Sequence, residues 1–387
     1  MKIILQTLSK IIKSKKILIV GAGPVGCTIA EILSKKSFIV DIFDSRNHIA
    51  GNCFDFKNKF GVLVHKYGPH YFRTNNKKIL KYLSKFTKWI PGKYFVSSYV
   101  DKQYYDFPIN LNTINKFFKK NFTSIEAKKF LKKKSKKINK NLNFETYLIS
   151  QIGEQLYRKF YKNYTIKQWG VKPNLISASV AKRVPIKFNR NKDYITSRFK
   201  FMPKKGFTSM FKKMISHKNI NIKLNKKYKY SHNDLTKYNN IVFTGPIDSF
   251  FNFKFGKLGW RSLKFNFITY KKKYKQHCLQ INYPNNYKFT RKVEYKHVTQ
   301  QKTNYTTISK EYPKSKGDPY YPRSTIKDKK ILKLYEEGKK YFEKKGIYFA
   351  GRLAQYKYIN TDQAIEIGMS VAKRVLLSNS KRKKISN

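Results

Sequence analysis

The sequence predicts an α/β fold whose core is interrupted by a helical insert and by an antiparallel sheet. Three observations lead there. Residues 17–52, ILIVGAGPVGCTIAEILSKKSFIVDIFDSRNHIAGN, run in the order strand, glycine turn, helix, strand. Apolar strand-and-glycine units recur far along the chain, at NNIVFTGPIDSFF (239–251) and KKGIYFAGRL (344–353). Between them lie stretches with helical spacing and then stretches of apolar–polar alternation.

The first unit carries the most chemistry. Ile17 to Val20 is a short, β-branched apolar run of strand type, Cys27 to Lys36 reads as a helix, and Phe38 to Phe43 as a second strand ending at Asp44. Gly21, Gly23 and Gly26 follow the first strand in the spacing G-x-G-x-x-G. The first glycine permits the tight turn, the second lets backbone approach a pyrophosphate, and the third lets helix pack on strand. The pyrophosphate would sit at the positive end of the helix that opens there. Asp44 stands 18 positions beyond Gly26, where an acid accepts hydrogen bonds from an adenosine ribose. Asp41 reads as an ordinary strand residue near the sheet end. A tight turn with no ligand is the alternative, and the two ordered strands with the acid in place favour dinucleotide binding. RNHIAGN follows directly, with Arg46, Gly51 and Asn52. An arginine after the ribose acid and a small-residue turn a few positions later resemble many FAD enzymes of the two-dinucleotide-binding-domain class. There the arginine stabilises the connection and the small residues let backbone approach the flavin dinucleotide. FAD is therefore favoured over NAD.

The whole chain sets bounds. Its 387 residues can bury a large core. With 40% hydrophobic and 16% aromatic residues the composition is that of a globular protein. No apolar run approaches the roughly 20 residues that span a bilayer, so no transmembrane segment is expected. Residues 1–14 read as a basic extension and not as a signal peptide. Cys27, Cys53 and Cys278 form no metal spacing, as expected of reduced thiols in a cytoplasmic protein, with Cys27 packed behind the glycine loop. The net charge of +64, from 85 Lys and Arg against 21 Asp and Glu, allows two readings. One is a nucleic-acid or membrane-surface binder. The other is coding bias, since Lys, Asn, Ile, Phe and Tyr abound together as A/T-rich coding favours, and the lysines are spread along the chain. The second reading is preferred. No specific nucleic-acid partner is expected, and the field would help a polyanionic substrate find its site.

Organisation follows from periodicity. Residues 76–167 look helical, with Ile79, Leu80, Leu83 and Phe86 on one face, and the lysine run of EAKKFLKKKSKKINKN reads as a solvated helix face. Residues 180–201 and 261–308 alternate as antiparallel strands do. The expected partition is an FAD-binding domain of 15–75, 203–255 and 330–378, a helical domain of 76–175, and an antiparallel-sheet substrate domain of 176–202 and 256–329. The fold class is thus a discontinuous Rossmann-like FAD-binding domain with a helical insert domain and an antiparallel β-sheet domain.

Several stretches suit a nucleotide diphosphate. YTIKQWG (164–170) offers aromatics that can stack on a uracil or lie against a sugar. KRVPIKF supplies Arg183, KFTRKVEYKH Arg291, KEYP Glu311, DPYYP Tyr320 and Tyr321, and FAGRLAQYKY Arg352, Tyr356 and Tyr358. A guanidinium meets diphosphate oxygens with two donors, and tyrosine hydroxyls add neutral ones. Singly, each is as ordinary as any core aromatic or surface arginine.

Together with the glycine unit, the stretches RNHIAGN, HKYGPHYFRT, YTIKQWG, KRVPIKF, FTGPIDSFF, RSLKF, EYP, DPYYP and GRLAQYKY resemble, in order, the UDP-galactopyranose mutase family. The resemblance runs from about Lys16 to the last helix. It implies a flavoenzyme, active with reduced FAD, that interconverts UDP-galactopyranose and UDP-galactofuranose for surface polysaccharides. In that family the flavin N5 attacks the anomeric carbon, forming a covalent flavin–sugar adduct, and UDP leaves and returns. By resemblance Arg183 and Arg352 hold the diphosphate, with Tyr194, Tyr320 and Tyr358 contacting it. Phe160, Tyr164, Gln168, Trp169 and Asn282 fall in the uridine and sugar region, His70 beside the isoalloxazine, and Arg291 and Glu311 near the sugar. Gly351 and Arg352 also border the cofactor, and the family suggests a homodimer.

Departures from the family pattern are Ala50 for a glycine, Gln355 and Asn360 where many bacterial members carry acids, and Arg73 in GPHYFRT where many have histidine. Arg73 suggests that UDP-N-acetylgalactosamine is accepted besides UDP-galactose. The competing readings are an FAD-dependent oxidoreductase of the same fold, which would lack the arginine and tyrosine set, and a basic nucleic-acid-binding protein, which would gather its lysines on one face.

Overall fold

The computed structural model describes residues 15–135, 142–323 and 325–385, so the extension 1–14 lies outside the described residues. Ile17, Leu18 and Ile19 are fully buried, and a continuous apolar strand of this kind needs cover on both faces. It finds that cover in a five-stranded parallel sheet. The strands are β1 (Lys16–Val20), β2 (Ile39–Phe43), β3 (Ile220–Lys223), β4 (Asn240–Phe243) and β5 (Ile347–Phe349), in the order β3-β2-β1-β4-β5. Val20 lies opposite Phe43 on one side and Phe243 on the other, so β1, β2 and β4 end level. Ligands of open α/β sheets bind beyond such strand ends.

The first helix runs Pro24–Ser34, three residues earlier than its apolar spacing suggests, because the fixed φ of proline suits the first helical turn. Gly26 is needed for packing: a Cβ there would lie 2.0 Å from the Gly21 carbonyl oxygen. The closing helix Thr361–Ile385 lies against the first helix, where a Cβ on Gly368 would come within 2.7 Å of the Thr28 Cβ. Two sequence segments more than 300 residues apart thus complete one layer of the core.

The second sheet has seven strands, ordered Tyr321–Pro322, Trp260–Tyr270, Thr306–Lys314, Arg291–Glu294, Gln280–Asn282, Val96–Val100 and Gln103–Phe107. The expected antiparallel character of 261–308 holds, with Phe265 opposite Glu311 and Arg291 opposite that same Glu311. The helical expectation for 76–167 does not hold over 89–107. VSSYV and QYYDF alternate and are rich in β-formers, and Asp101 and Lys102 both take positive φ (48° and 62°), the two-residue turn that matches strand twist. That hairpin joins the second sheet through a parallel pairing of Val96–Ser98 with Gln280–Asn282. Helices return at Leu111–Phe118, Ser124–Lys134, Phe144–Leu156 and Asn163–Trp169.

Residues 180–201 also depart from expectation. Only Phe199–Pro203 is a strand, pairing with Phe72–Thr74 and Trp89–Pro91 in a small antiparallel sheet. Residues 182–198 form an irregular crossing with one β-bridge, Phe95 to Asp193, and backbone hydrogen bonds from Lys187 N–H to the Ile109 carbonyl (3.0 Å) and from Leu111 N–H to the Asn189 carbonyl (3.1 Å), because Pro185 and the polar run around Asn189 and Asn191 interrupt any longer ladder. The small sheet places Arg73 opposite Lys200 and beside that crossing.

Candidate functional site

Two adjoining cavities lie beyond the ends of β1, β2 and β4. The larger, about 660 Å³, is floored by the glycine turn and the first turn of the first helix. Gly21 takes φ +112°, and a Cβ there would fall 2.0 Å from Thr244 Oγ1, so only glycine fits. Gly23 faces Gly51 across the cradle, where a Cβ would meet nothing nearer than the Gly51 Cα at 3.9 Å. The helix N-cap is Gly23, with no side chain turned onto the first turn and no acid within it. Its free N–H groups and positive end therefore remain for an anion. Gly26 lies behind the turn as a packing residue, whereas Gly21, Gly23, Gly51 and Gly351 line the cavity.

Asp44 ends β2 on the cavity wall. Its carboxylate accepts from the N–H groups of Ala22 (2.8 Å) and Arg46 (2.9 Å), which fixes its direction and leaves further lone pairs for a ligand hydroxyl. Arg46 Nη1 donates to Asn52 Oδ1 (2.9 Å), and its guanidinium lies 4.4 Å from the centre of the Tyr67 ring. These two residues tie the RNHIAGN turn together. Cys27 is buried with its thiol donating to the Ala22 carbonyl, so burial pushes its pKa up and it packs as an inert small residue. Asp41, also buried, is held below the ordinary carboxylate range despite its burial, by hydrogen bonds from Asn221, Lys16 and Tyr238.

The smaller cavity, about 160 Å³, shares Asn52, His70, Arg352, Asn360 and Thr361 with the larger one. Three arginines converge on the consecutive residues Tyr358, Ile359 and Asn360. Arg352 Nη2 donates to the Ile359 carbonyl (2.7 Å) and its guanidinium lies 4.8 Å from the Tyr358 ring centre. Arg183 stacks on the same ring at 3.7 Å and donates to Asn360 Oδ1 at 3.3 Å. Arg73 reaches that same oxygen at 3.4 Å. Every acceptor in this hub is neutral, and among the described residues none of the three arginines forms an ion pair. Their charge is left uncompensated. Crowding by protein raises the Tyr358 phenol, but Arg352, Arg183, Arg291 and Arg73 outweigh that and hold its pKa below the ordinary value.

Arg291 differs from those three. It pairs with the fully buried Glu311 at 2.6 Å, so its charge is already compensated. Burial pushes the Glu311 carboxyl up while Arg291 pulls it down, leaving it above its usual range. Its second oxygen, Oε1, has no hydrogen-bond partner among the described residues. Nδ1 of His70 donates to the Gly68 carbonyl (3.0 Å), which leaves Nε2 as an acceptor, and burial lowers its pKa to about 3. His70 is therefore a neutral imidazole at the junction of the two cavities.

The remaining expected site residues divide. Tyr194 and Tyr320 line the smaller cavity beside Arg291 and Tyr358. Tyr164, Gln168, Trp169, Asn282 and Phe160 line neither cavity. Trp169 leans on Tyr321, with ring centres 6.0 Å apart, and Gln168 Oε1 accepts from Thr290. Asn282 reaches the cavity only through Gln280, whose amide donates to Asn282 Oδ1 (2.8 Å) and whose oxygen accepts from the cavity residue Tyr94 (3.3 Å). Phe160 is packed edge-on against Tyr105 and Phe117 in the core, which follows from a π-helical turn at Tyr157–Lys162 that rotates it inward. The sequence alone does not single out Tyr71, Tyr94 or Gln280, and it marks Asn360 only as a departure from the family pattern and not as the acceptor on which arginines meet. Tyr71 lies inside GPHYFRT and was there to be noticed. Tyr94 lies two residues before the strand Val96–Val100, in a segment expected to be helical, and Gln280 stands in no motif at all.

Comparison with known proteins gives the family and the fold. A family model described as UDP-galactopyranose mutase matches residues 159–358, and one described as an NAD(P)-binding Rossmann-like domain matches residues 19–86. A Klebsiella pneumoniae protein named probable UDP-galactopyranose mutase is 35% identical over 372 residues, covering 94% of this chain and 96% of its own. An Escherichia coli dTDP-fucopyranose mutase is 34% identical over 375 residues, covering 94% and 99%. The crystal structure of a reduced UDP-galactopyranose mutase superposes with a TM-score of 0.75 at 16% identity, over 94% of this chain and 95% of that one.

Proposed function

Because the chain belongs to the UDP-galactopyranose mutase family, we propose that it interconverts the pyranose and furanose forms of UDP-galactose, with UDP-N-acetylgalactosamine as a second substrate. One observation carries the reading: three guanidiniums without carboxylate partners meet on Tyr358, Ile359 and Asn360, where the small cavity opens into the dinucleotide cradle. Such a charge excess in a narrow cavity suits a diphosphate.

The larger cavity fits FAD. Its floor is glycine wherever a Cβ would meet the turn or intrude on the cradle, its helix end is uncapped, and Asp44 is aimed by two backbone N–H groups. Gly21, Gly23, Asp44, Arg46, Gly51, Asn52, Gly351 and Arg352 would hold it. When bound and reduced, the flavin supplies a nucleophilic nitrogen for the anomeric carbon and is regenerated at the end of each turnover.

The chain's own residues bind and orient. Arg183 and Arg352 take up the charge that develops on the diphosphate as it departs, and their rigid stacking on Tyr358 means they need not reorganise. Neutral His70, with Nδ1–H committed to Gly68, offers Nε2 to a sugar hydroxyl without adding charge next to the flavin. The buried Arg291–Glu311 pair fixes the wall on which Tyr321 and Tyr320 stand. Arg73 adds a donor for a sugar substituent, which is the basis for including the 2-acetamido sugar.

The three-part division of the chain set out above is retained as part of this proposal, with 96–107 moved to the substrate sheet. A cytoplasmic homodimer supplying polysaccharide synthesis completes it; no helix among the described residues is long and apolar enough to cross a membrane. The test is chromatographic. Dithionite-reduced, FAD-loaded protein is incubated with UDP-galactose, UDP-N-acetylgalactosamine and dTDP-fucose, and the products are separated. The furanose form of UDP-galactose is expected, with UDP-N-acetylgalactosamine turned over and its share falling in Arg73→His. Furanose product from dTDP-fucose alone, or from none of the three, overturns the proposal.

A further inference from the structure

The lysine run read from sequence as a solvated face spans 126–141; its part 136–141 lies outside the described residues, and the rest has a more particular arrangement in the fold. The helix Ser124–Lys134 buries Ala127 and Leu131 and leans Phe130 on Phe118 and Phe122, with ring centres 4.8 Å apart in both pairs. Its opposite face shows Ile125, Lys128, Lys129, Lys132 and Lys133, all exposed, at the spacing i, i+3, i+4, i+7, i+8 of a single helical stripe. Ile125 is 68% exposed, the most exposed large apolar side chain among the described residues. Lys119 and Lys120 extend the patch at its start and Lys134 at its end. Seven of the sixteen residues 119–134 are lysine, twice the density of the chain as a whole. The stretch has one acid, Glu126, whose carboxylate closes the helix cap on Thr123 N–H (2.8 Å) and Oγ1 (2.9 Å).

We propose that this face docks the protein on an anionic lipid bilayer. A cluster of four to eight lysines on an amphipathic helix is attracted to acidic headgroups, each lysine near the surface strengthening binding about fivefold before screening. A helix lying flat sinks its apolar residue to the headgroup–acyl boundary, and the lysine stems flank it with their ammonium groups in the headgroup layer. Ile125 opens the stripe at the N-terminal end of the helix and lies on its midline, with Lys128 and Lys132 to one side around the helix and Lys129 and Lys133 to the other. A nucleic-acid surface fits less well. The stretch has no arginine for bidentate phosphate contacts, and its two phenylalanines, Phe122 and Phe130, pack on each other and not outward as platforms for bases, with Phe118 against Phe130. None of these residues lines either cavity, so docking leaves the site open.

The test is co-sedimentation of the FAD-loaded full chain with phosphatidylcholine vesicles, with and without phosphatidylserine, at physiological ionic strength. One variant carries Lys128→Gln, Lys129→Gln, Lys132→Gln and Lys133→Gln. A control carries Lys327→Gln, Lys329→Gln, Lys330→Gln and Lys333→Gln on the exposed face of the helix Ile326–Lys344, which loses the same charge elsewhere. Ile125→Ser is the third. Glutamine keeps helix propensity, and thermal melting checks the folds. The first variant is expected to lose at least roughly tenfold in binding to phosphatidylserine vesicles, the control less than about threefold. Ile125→Ser is expected to weaken vesicle binding severalfold and to leave binding of a single-stranded oligonucleotide unchanged. Equal losses in the two quadruple variants would place the attraction in the whole-chain charge and overturn the proposal. So would equal binding to both vesicle types, or loss of oligonucleotide binding alone, which would make the face a nucleic-acid surface.

Discussion

Asn360→Asp separates ligand charge from scaffold. The substitution is nearly isosteric, and it places a carboxylate oxygen where Asn360 Oδ1 now accepts from Arg73 at 3.4 Å and Arg183 at 3.3 Å. Both arginines gain an ion-pair partner and shed mutual repulsion. Arg183 is exposed, so the net gain in stability is at most about 1 kcal/mol. A phosphate oxygen in contact with either guanidinium sits roughly 6 Å from the new charge, one hydrogen-bond length beyond the nitrogen. At an effective dielectric constant of about 20–40 the repulsion is about 1.4–2.8 kcal/mol per unit charge, or roughly 10- to 100-fold in affinity. The assay is titration calorimetry of UDP and of uridine into the oxidised, FAD-loaded protein, with melting temperature and flavin absorbance recorded alongside. UDP affinity is expected to fall by that factor, uridine affinity to stay within about twofold, flavin content to hold, and the melting temperature to stay level or rise. Stability and affinity moving in opposite directions is the signature of charge neutralisation. A UDP affinity unchanged to within about twofold would refute the claim that this hub holds the diphosphate. Uridine affinity lost in parallel would show a distorted pocket instead.

Arg183→Ala and Arg352→Ala should each reduce kcat/KM by at least roughly tenfold with flavin retained, and the lysine variants should recover only part, since one ammonium cannot reproduce a stacked, two-pronged donor; near-normal turnover in both alanine variants would contradict this. Gly23→Val should abolish flavin binding while leaving the melting temperature of the flavin-free protein nearly unchanged, because Gly23 has ordinary φ and its Cβ would meet nothing closer than 3.9 Å. Gly21→Val, at φ +112° against Thr244, should lower stability as well, by about 1–3 kcal/mol or more, and urea melts of the two flavin-free variants compare them. His65 is fully buried and its pKa is lowered by burial from 6.5 to about 3, so the unfolded chain binds the extra proton between those values. Its contribution to stability is complete above pH 6.5 and is lost as the pH falls toward 3, at up to about 1.4 kcal/mol per pH unit. Urea melts from pH 7 to pH 4 should therefore show a shallower fall in His65→Gln than in the unsubstituted protein.

The legible parts of this chain were those whose physics is carried by near neighbours. G-x-G-x-x-G after a β-branched run constrains a turn within six residues, and Asp44 follows from the length of one helix and one strand, so the glycine cradle and the carboxylate on its wall could both be placed without tertiary information. Arg183, Arg352 and Tyr358 were found through ordered motifs, which depend on resemblance and not on geometry. Local pattern also misled where composition blurred it. The helical spacing of 79–86 does not carry on into 89–107, a hairpin whose turn needs two residues of positive φ, and the alternation of 182–198 finds one bridge, Phe95 to Asp193, and no continuous ladder.

Tertiary structure alone decided how the arginines share their charge. Arg73 meets Asn360 across 287 positions of sequence and Arg183 meets it across 177, because the small sheet under Arg73 and the irregular crossing after Arg183 converge on the segment before the last helix. Whether an arginine is spent on a carboxylate, as Arg291 is on Glu311, or left free, as these three are, depends on which acid the folded chain brings within about 4 Å. Ion pairing falls off over ångströms, and sequence separation does not measure ångströms. The residue types were legible from the chain itself; the uncompensated charge that suits them to a diphosphate exists only once it is folded.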